Sequence, residues 1–239
     1  MKTKSLGKNI SLAIVLLLCL VFVAKSGGPA LLRQYVQSGI GDCQKIPILC
    51  MAPTEEINSP KINKEYLKEL LPCKFPKMAI NVPRNFSVYQ EEIKKVYYKK
   101  MKRPHQEAAV YLLCQAPNFF VDLFPQLKKQ GVQDDYGFIK RIMCAKLKNI
   151  KNLTDAFFVI MKGIFIPDLG DQKDVKMAQF TAADKRGFIN YNLSKPDNYF
   201  DCNVINKQGD FFKIYIKDRG ANLDLGKVLA IISTVDSVK

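Results

Sequence analysis

The sequence predicts an α+β fold behind an apolar leader. Segments with helical periodicity fill the stretch before residue 168, and short β-branched or aromatic runs fill the stretch after it. A basic flank precedes an apolar run at the N-terminus. The expected order is a membrane helix or signal, a helical first half, then an antiparallel sheet of four or five strands. Residues 1–26 are assigned to the leader (apolar span 9–24), 27–60 to a short helix and irregular connector, and 61–239 to a single α+β domain.

Lys2, Lys4 and Lys8 occupy the first eight residues without an acid, and Ser11 is the one polar residue between Ile10 and Ala24. At a rise of about 1.5 Å per residue, positions 9–24 span roughly 24 Å. A hydrocarbon core of about 30 Å asks for more, so the segment is a short signal anchor or a cleaved signal. Small residues for cleavage occur at Ala24-Lys25-Ser26 and Gly28-Pro29-Ala30, each with an unfavourable Lys25 or Pro29 between them. The lysines before the span orient it with the N-terminus in the cytoplasm and the following domain outside, periplasmic in a bacterium. The alternative is secretion after cleavage.

Pro29 to Ser38 reads as a helix, with proline at its start, Leu31, Leu32, Tyr35 and Val36 on one face and Gly39 past its end. Prolines and glycines between 40 and 60 read as a connector. Ser59-Pro60 opens a predicted helix through Leu71, stopped by Pro72. Alternation over Met78, Ile80 and Val82 predicts a strand. Ser87 and Gln90 match a capping box, and Ile93, Val96, Tyr97 and Met101 continue at helical spacing, so 87–103 is predicted helical. Ala108 to Cys114 is read as a buried strand.

Further helices are predicted over 118–130 (kinked at Pro125 and ended by Gly131), from Asp134 or Asp135 to Leu147, and after Thr154, apolar almost all round. Beyond Asp168-Leu169-Gly170-Asp171 the runs Ala178–Ala182, Phe188–Leu193, Phe200–Ile205, Phe211–Ile216 and Val228–Val235 read as strands.

With 48% hydrophobic and 25% charged residues in 239, the chain has the composition of a packed domain and not of a disordered one. Seven cysteines include Cys19 in the leader, so six remain downstream, and an export signal makes disulfides expected. Cys43 and Cys50 are the candidate pair, on a short loop around Pro47. The single histidine, His105, and the absence of a C-x-x-C pair leave no metal site to assign, and no cofactor is expected.

No phosphate-binding loop, G-x-G-x-x-G, G-x-S-x-G or H-E-x-x-H occurs. The acidic loops around Asp168, Asp171 and Asp174, and around Asp218, Asn222 and Asp224, read as turns bonding their own backbone. The net charge is +15, and without Lys2, Lys4, Lys8 and Lys25 the remainder still carries 33 basic against 22 acidic residues. Lys94, Lys95, Lys99, Lys100, Lys102 and Arg103, interleaved with Tyr97 and Tyr98, form the candidate anionic-surface site on the predicted 87–103 helix.

The expected function is a membrane-tethered extracytoplasmic binding or assembly module without its own catalytic site. Its expected partners are the membrane, through 9–24, and an anionic lipid or polysaccharide; export makes nucleic acid the less natural ligand. The alternative is an extracytoplasmic hydrolase or transferase whose carboxylates, among Asp168, Asp171 and Asp201, converge only in the fold.

Overall fold

Eleven strands and six α-helices, joined by short 3-10 turns, make up the described part of the chain. The computed structural model describes residues 27–238 except 59–61, 75–76, 85, 91–94, 101–106, 183, 195 and 220–221. For 87–90, 95–100 and 107–111 it describes the backbone alone. The apolar span 9–24 lies outside the described residues. Among the described residues, no helix is long and apolar enough to cross a membrane.

The fold is mixed α+β, as the sequence predicts, but its main sheet is larger. Eight strands pair in the order β1-β7-β8-β9-β10-β6-β5-β4. Four of them, β7 (Lys176–Ala182), β8 (Lys185–Asn192), β9 (Asp197–Ile205) and β10 (Phe211–Arg219), form an antiparallel meander. β6 (Glu107–Gln115) joins β10, followed by β5 (Lys95–Lys100) and β4 (Ser87–Gln90). At the other edge β1 (Glu55–Asn58) pairs with β7 in parallel, so the sheet is not purely antiparallel. A second sheet, ordered β11-β3-β2, combines β11 (Asp236–Ser237), β3 (Met78–Pro83) and β2 (Leu70–Lys74).

Alternation along the central strands separates two cores. Ile189, Phe200, Cys202, Ile214 and Ile216 face one side, packing with β2–β3 and with α6 (Leu225–Ser233). Phe188, Ile205 and Phe211 face the other, beneath α3 (Phe119–Leu123), α4 (Asp135–Cys144) and α5 (Leu153–Phe165). A smaller cluster beyond α5 seats α1 (Gly28–Ile40) through Val36, Leu147, Ile150 and Val159. Gly187 lies at the β8–β9 contact, where a Cβ would run into the Asn203 carbonyl.

Several predicted elements are corrected. Within the helix expected over 87–103, the described residues 87–90 and 95–100 form a β4–β5 pair, with Val88 opposite Tyr97 and Tyr89 opposite Val96. β-branched and aromatic residues suit a pleated surface, and pairing with β6 outweighs the few tenths of a kcal/mol that i,i+4 charge pairs contribute to a helix. The helix expected through Leu71 shortens to α2 (Lys64–Lys68), capped by Asn63, whose side chain accepts from the Glu65 and Tyr66 amides. Pro72 does not stop a helix; it lies in β2, an edge strand, where a missing ladder donor is tolerated.

Val228–Val235 is not a strand but most of α6. Asp224 caps it by accepting the Lys227 amide at 2.8 Å, and Val228 to Ile232 are all buried. A short continuous apolar run does not distinguish a buried helix from a buried strand. Asn152, two residues before Thr154, caps α5, and α4 ends at Cys144 before a 3-10 turn over Leu147–Asn149. β1 arises inside the predicted connector.

Candidate functional site

A mixed-polarity cleft of about 350 Å³ opens where α2, the β3–β4 corner and the start of α6 converge. Its framework is a polar clasp on the loop after β10. Asp218, 2% exposed, accepts the Leu223 amide at 2.6 Å through Oδ2, while the Asn198 amide nitrogen donates to the Leu223 carbonyl at 2.8 Å. These bonds fix the loop that delivers Lys227. Its Nζ donates to the Asn222 carbonyl at 2.8 Å and stands 5.6 Å from the Tyr66 ring centre.

Tyr66 is delivered by α2. Burial first, and then the charges of Glu69, Asp218 and Asp224, push its phenol up to about 12, so it stays protonated at physiological pH. Arg84 enters from the corner after β3, its Nη2 donating to the Lys68 carbonyl at 3.3 Å. Phe86 supplies a second aromatic wall. The cleft therefore combines two carboxylates, two cations and two aromatic rings. Such a set can hold a ligand with an anionic group and a planar or apolar part.

A second polar cluster lies inside the molecule, on the sheet face beneath α4 and α5. Asp201 is fully buried; its Oδ2 accepts from the Asn190 and Asn203 side chains at 3.0 and 3.2 Å. Lys213 Nζ pairs with Asp201 Oδ1 at 2.7 Å, a coulombic contact outside hydrogen-bond alignment, and donates to Asn203 Oδ1 at 3.2 Å. The same ammonium lies 4.6 Å from the Phe165 ring centre. Asn190 Oδ1 has no partner. The Lys213 side chain is 21% exposed, which leaves the cluster open at the β10 side.

The three carboxylates considered for catalysis have separate duties. Asp168 accepts the Gly170 amide at 2.9 Å and Asp171 the Lys173 amide at 3.1 Å, both turn bonds, while Asp201 serves the buried cluster. Asp174 accepts from Ser194 Oγ at 2.7 Å. Among the described residues no group of three or more His, Cys, Asp or Glu side chains could hold a metal ion.

Cys43 and Cys50, the candidate disulfide, are paired at disulfide distance with Cα atoms 5.8 Å apart. Of the basic candidates, Lys95, Lys99 and Lys100 lie on β5, while Lys94, Lys102 and Arg103 lie outside the described residues. The single helical stripe that would gather them is absent from 95–100. Sequence reasoning missed Glu69, Arg84 and Lys227, because no spacing links three residues brought together from three elements. It also passed over 140–151, which carries five basic residues and no acid.

No family model matches this chain, and no curated protein matches it. A solved structure from Bacteroides thetaiotaomicron VPI-5482 is similar over 68% of this chain and 45% of its own length, at 12% identity and a TM-score of 0.27. The chain thus spans less than half of that structure, and so distant a likeness bears on neither fold nor function.

Proposed function

We propose that this protein is a membrane-tethered extracytoplasmic binding or assembly module, anchored through residues 9–24, that takes its ligand in the cleft between α2 and α6. The observation that carries the reading is the cleft's composition: Arg84 and Lys227 stand beside Tyr66 and Phe86 in one opening of about 350 Å³. A uronic-acid oligosaccharide, with carboxylates and flat sugar faces, has the matching chemistry. Changing Arg84→Gln and Lys227→Gln should weaken binding of that oligosaccharide about tenfold or more, since charge-assisted bonds contribute about 1.5–3 kcal/mol each. Equal affinity in the double variant would remove the cleft from the proposal.

The tether is tested separately. Alkaline phosphatase fused after residue 45 should be active and a cytoplasmic reporter at the same point dark; the reverse pattern overturns the topology. A hydrolase or transferase reading is kept by one observation, that Glu69 and Asp218 line the same cleft. Turnover of the bound oligosaccharide that is lost in Glu69→Gln while binding persists would favour it.

A further inference from the structure

We infer that the outer face of α1 and the adjoining 146–153 turn form a second membrane contact, one that lays the domain against an anionic bilayer beside its tether. The inference rests on the tethered reading above and goes beyond it, because a tether alone leaves the domain free to tumble.

α1 turns Leu32, Val36 and Ile40 toward the rest of the molecule. Leu31 and Tyr35, which share the predicted face with Leu32 and Val36, are instead 65% and 75% exposed, four residues apart and therefore on one side of the helix, beside the exposed Gln34, Gln37 and Ser38. Leu153, at the start of α5, is 77% exposed. Arg33 Nη1 donates to the Lys148 carbonyl at 3.5 Å, while the space beside Gly163 is met by Ile40. The two helices therefore run the same way, and their first turns share one end of the molecule.

Positive charge outnumbers negative at that end, where Asp155 in the first turn of α5 is an acid beside the basic segment. α1 contains no acidic residue, and 140–151 contains five basic residues and no acid. Lys148 and Lys151 are exposed. Arg141, Lys146 and Asn149 line a common shallow pocket with Asp155, which ties the basic segment into a continuous surface. Exposed leucines and a tyrosine among lysines and arginines match a bilayer interface, where apolar side chains enter the headgroup boundary and cations meet anionic lipid.

Distance settles which surface can use this face. Residues 25–27 separate the apolar run from α1. Fully extended, three residues reach about 11 Å at most. A membrane that holds 9–24 therefore lies within that reach of the first turn of α1, which no unlinked partner matches in effective concentration.

The chain contains no tryptophan, so single introduced indoles report without background. The test uses the full chain reconstituted into phosphatidylcholine vesicles with and without phosphatidylglycerol, carrying either Tyr35→Trp or, on the opposite side of the main sheet, Leu71→Trp. With anionic lipid, brominated lipid should remove most Tyr35→Trp emission and blue-shift the rest, leaving Leu71→Trp nearly unchanged. Adding Lys148→Gln and Lys151→Gln should restore much of the lost emission. Protein that floats with the vesicles while Tyr35→Trp emits as in water overturns the contact and spares the tether. Protein that does not float overturns the tether and the contact together. A blue shift that grows with protein concentration and resists lipid quenching means that a second copy covers the face, which also overturns the contact.

Discussion

Lys162 is an ammonium group in the apolar interior. It is fully buried on α5, and its Nζ donates to the carbonyls of Met51, Met143 and Ala145 at 2.6, 2.8 and 2.9 Å. Two of those carbonyls belong to the C-terminal end of α4, where a cation also meets the negative pole of the helix. Burial, with Lys146 adding to it, pushes Lys162 down to about 7 from its usual 10.5. Between those two values the unfolded chain binds more protons than the folded one, so stability rises with pH across the window and falls as pH drops through about 7. Lys162→Met should cost about 1–3 kcal/mol by leaving buried carbonyls unpaired. Urea titrations from pH 6 to 10 should show its deficit widening with pH. The Asp201–Lys213 pair makes a second case. Lys213→Met strands a fully buried carboxylate and should cost about 3 kcal/mol, more than Asp201→Asn, whose leftover ammonium reaches solvent; the double variant should recover most of the loss. The sequence shows Asp201 and Asn203 alternating with Phe200, Cys202 and Val204, which is the pattern of a strand with one wet face. The polar face is instead covered by α4 and α5, and strand alternation carries no information about what lies above it.

Legibility at the scale of elements followed local chemistry. α1, α4 and the β7–β10 meander were readable because each has its own signal: Pro29 near a helix start, Asp134 accepting the Gly137 amide as a cap, and turns between consecutive strands. β4, β5 and α6 were misread because their local patterns fit either element, and pairing or packing decides them. β5 is a strand because β6 lies beside it, and α6 is a helix wedged among residues of both sheets. Two predictions belong here. Asp224→Ala removes the α6 cap and should cost about 1 kcal/mol in a urea titration, with the fold retained. Cys43→Ser opens a short loop that packs beside α1; closing such a loop contributes about 2–3 kcal/mol, so the variant should unfold at correspondingly lower urea. Parent protein denatured without reductant should show fewer than six reactive thiols beyond Cys19; counting all six would contradict the pairing.

Across the whole molecule, the two sheets share one core although their strands come from both ends of the chain. The sequence made the α+β class readable through composition and period, and β6 as a strand, but not the eight-stranded order, because β1 sits in a stretch that reads as a connector and β4–β5 in one that reads as a helix. That order has a consequence in time. β7 to β10 find their partners next door in the chain, whereas β1 waits for β7, β6 for β10, and β3 for β11 at the last described residues. Contacts between distant segments form late because loop closure comes before any reward. β1, and the seam that joins β6 to β10, are thus the last to settle, although a ribosome makes β1 and β6 before their partners. Pulse-labelled hydrogen exchange during refolding should protect amides of β8 and β9 ahead of those of β1. Until residues 236–237 arrive the smaller sheet lacks a strand, so a chain cut short of them cannot complete the sheet that closes over α6.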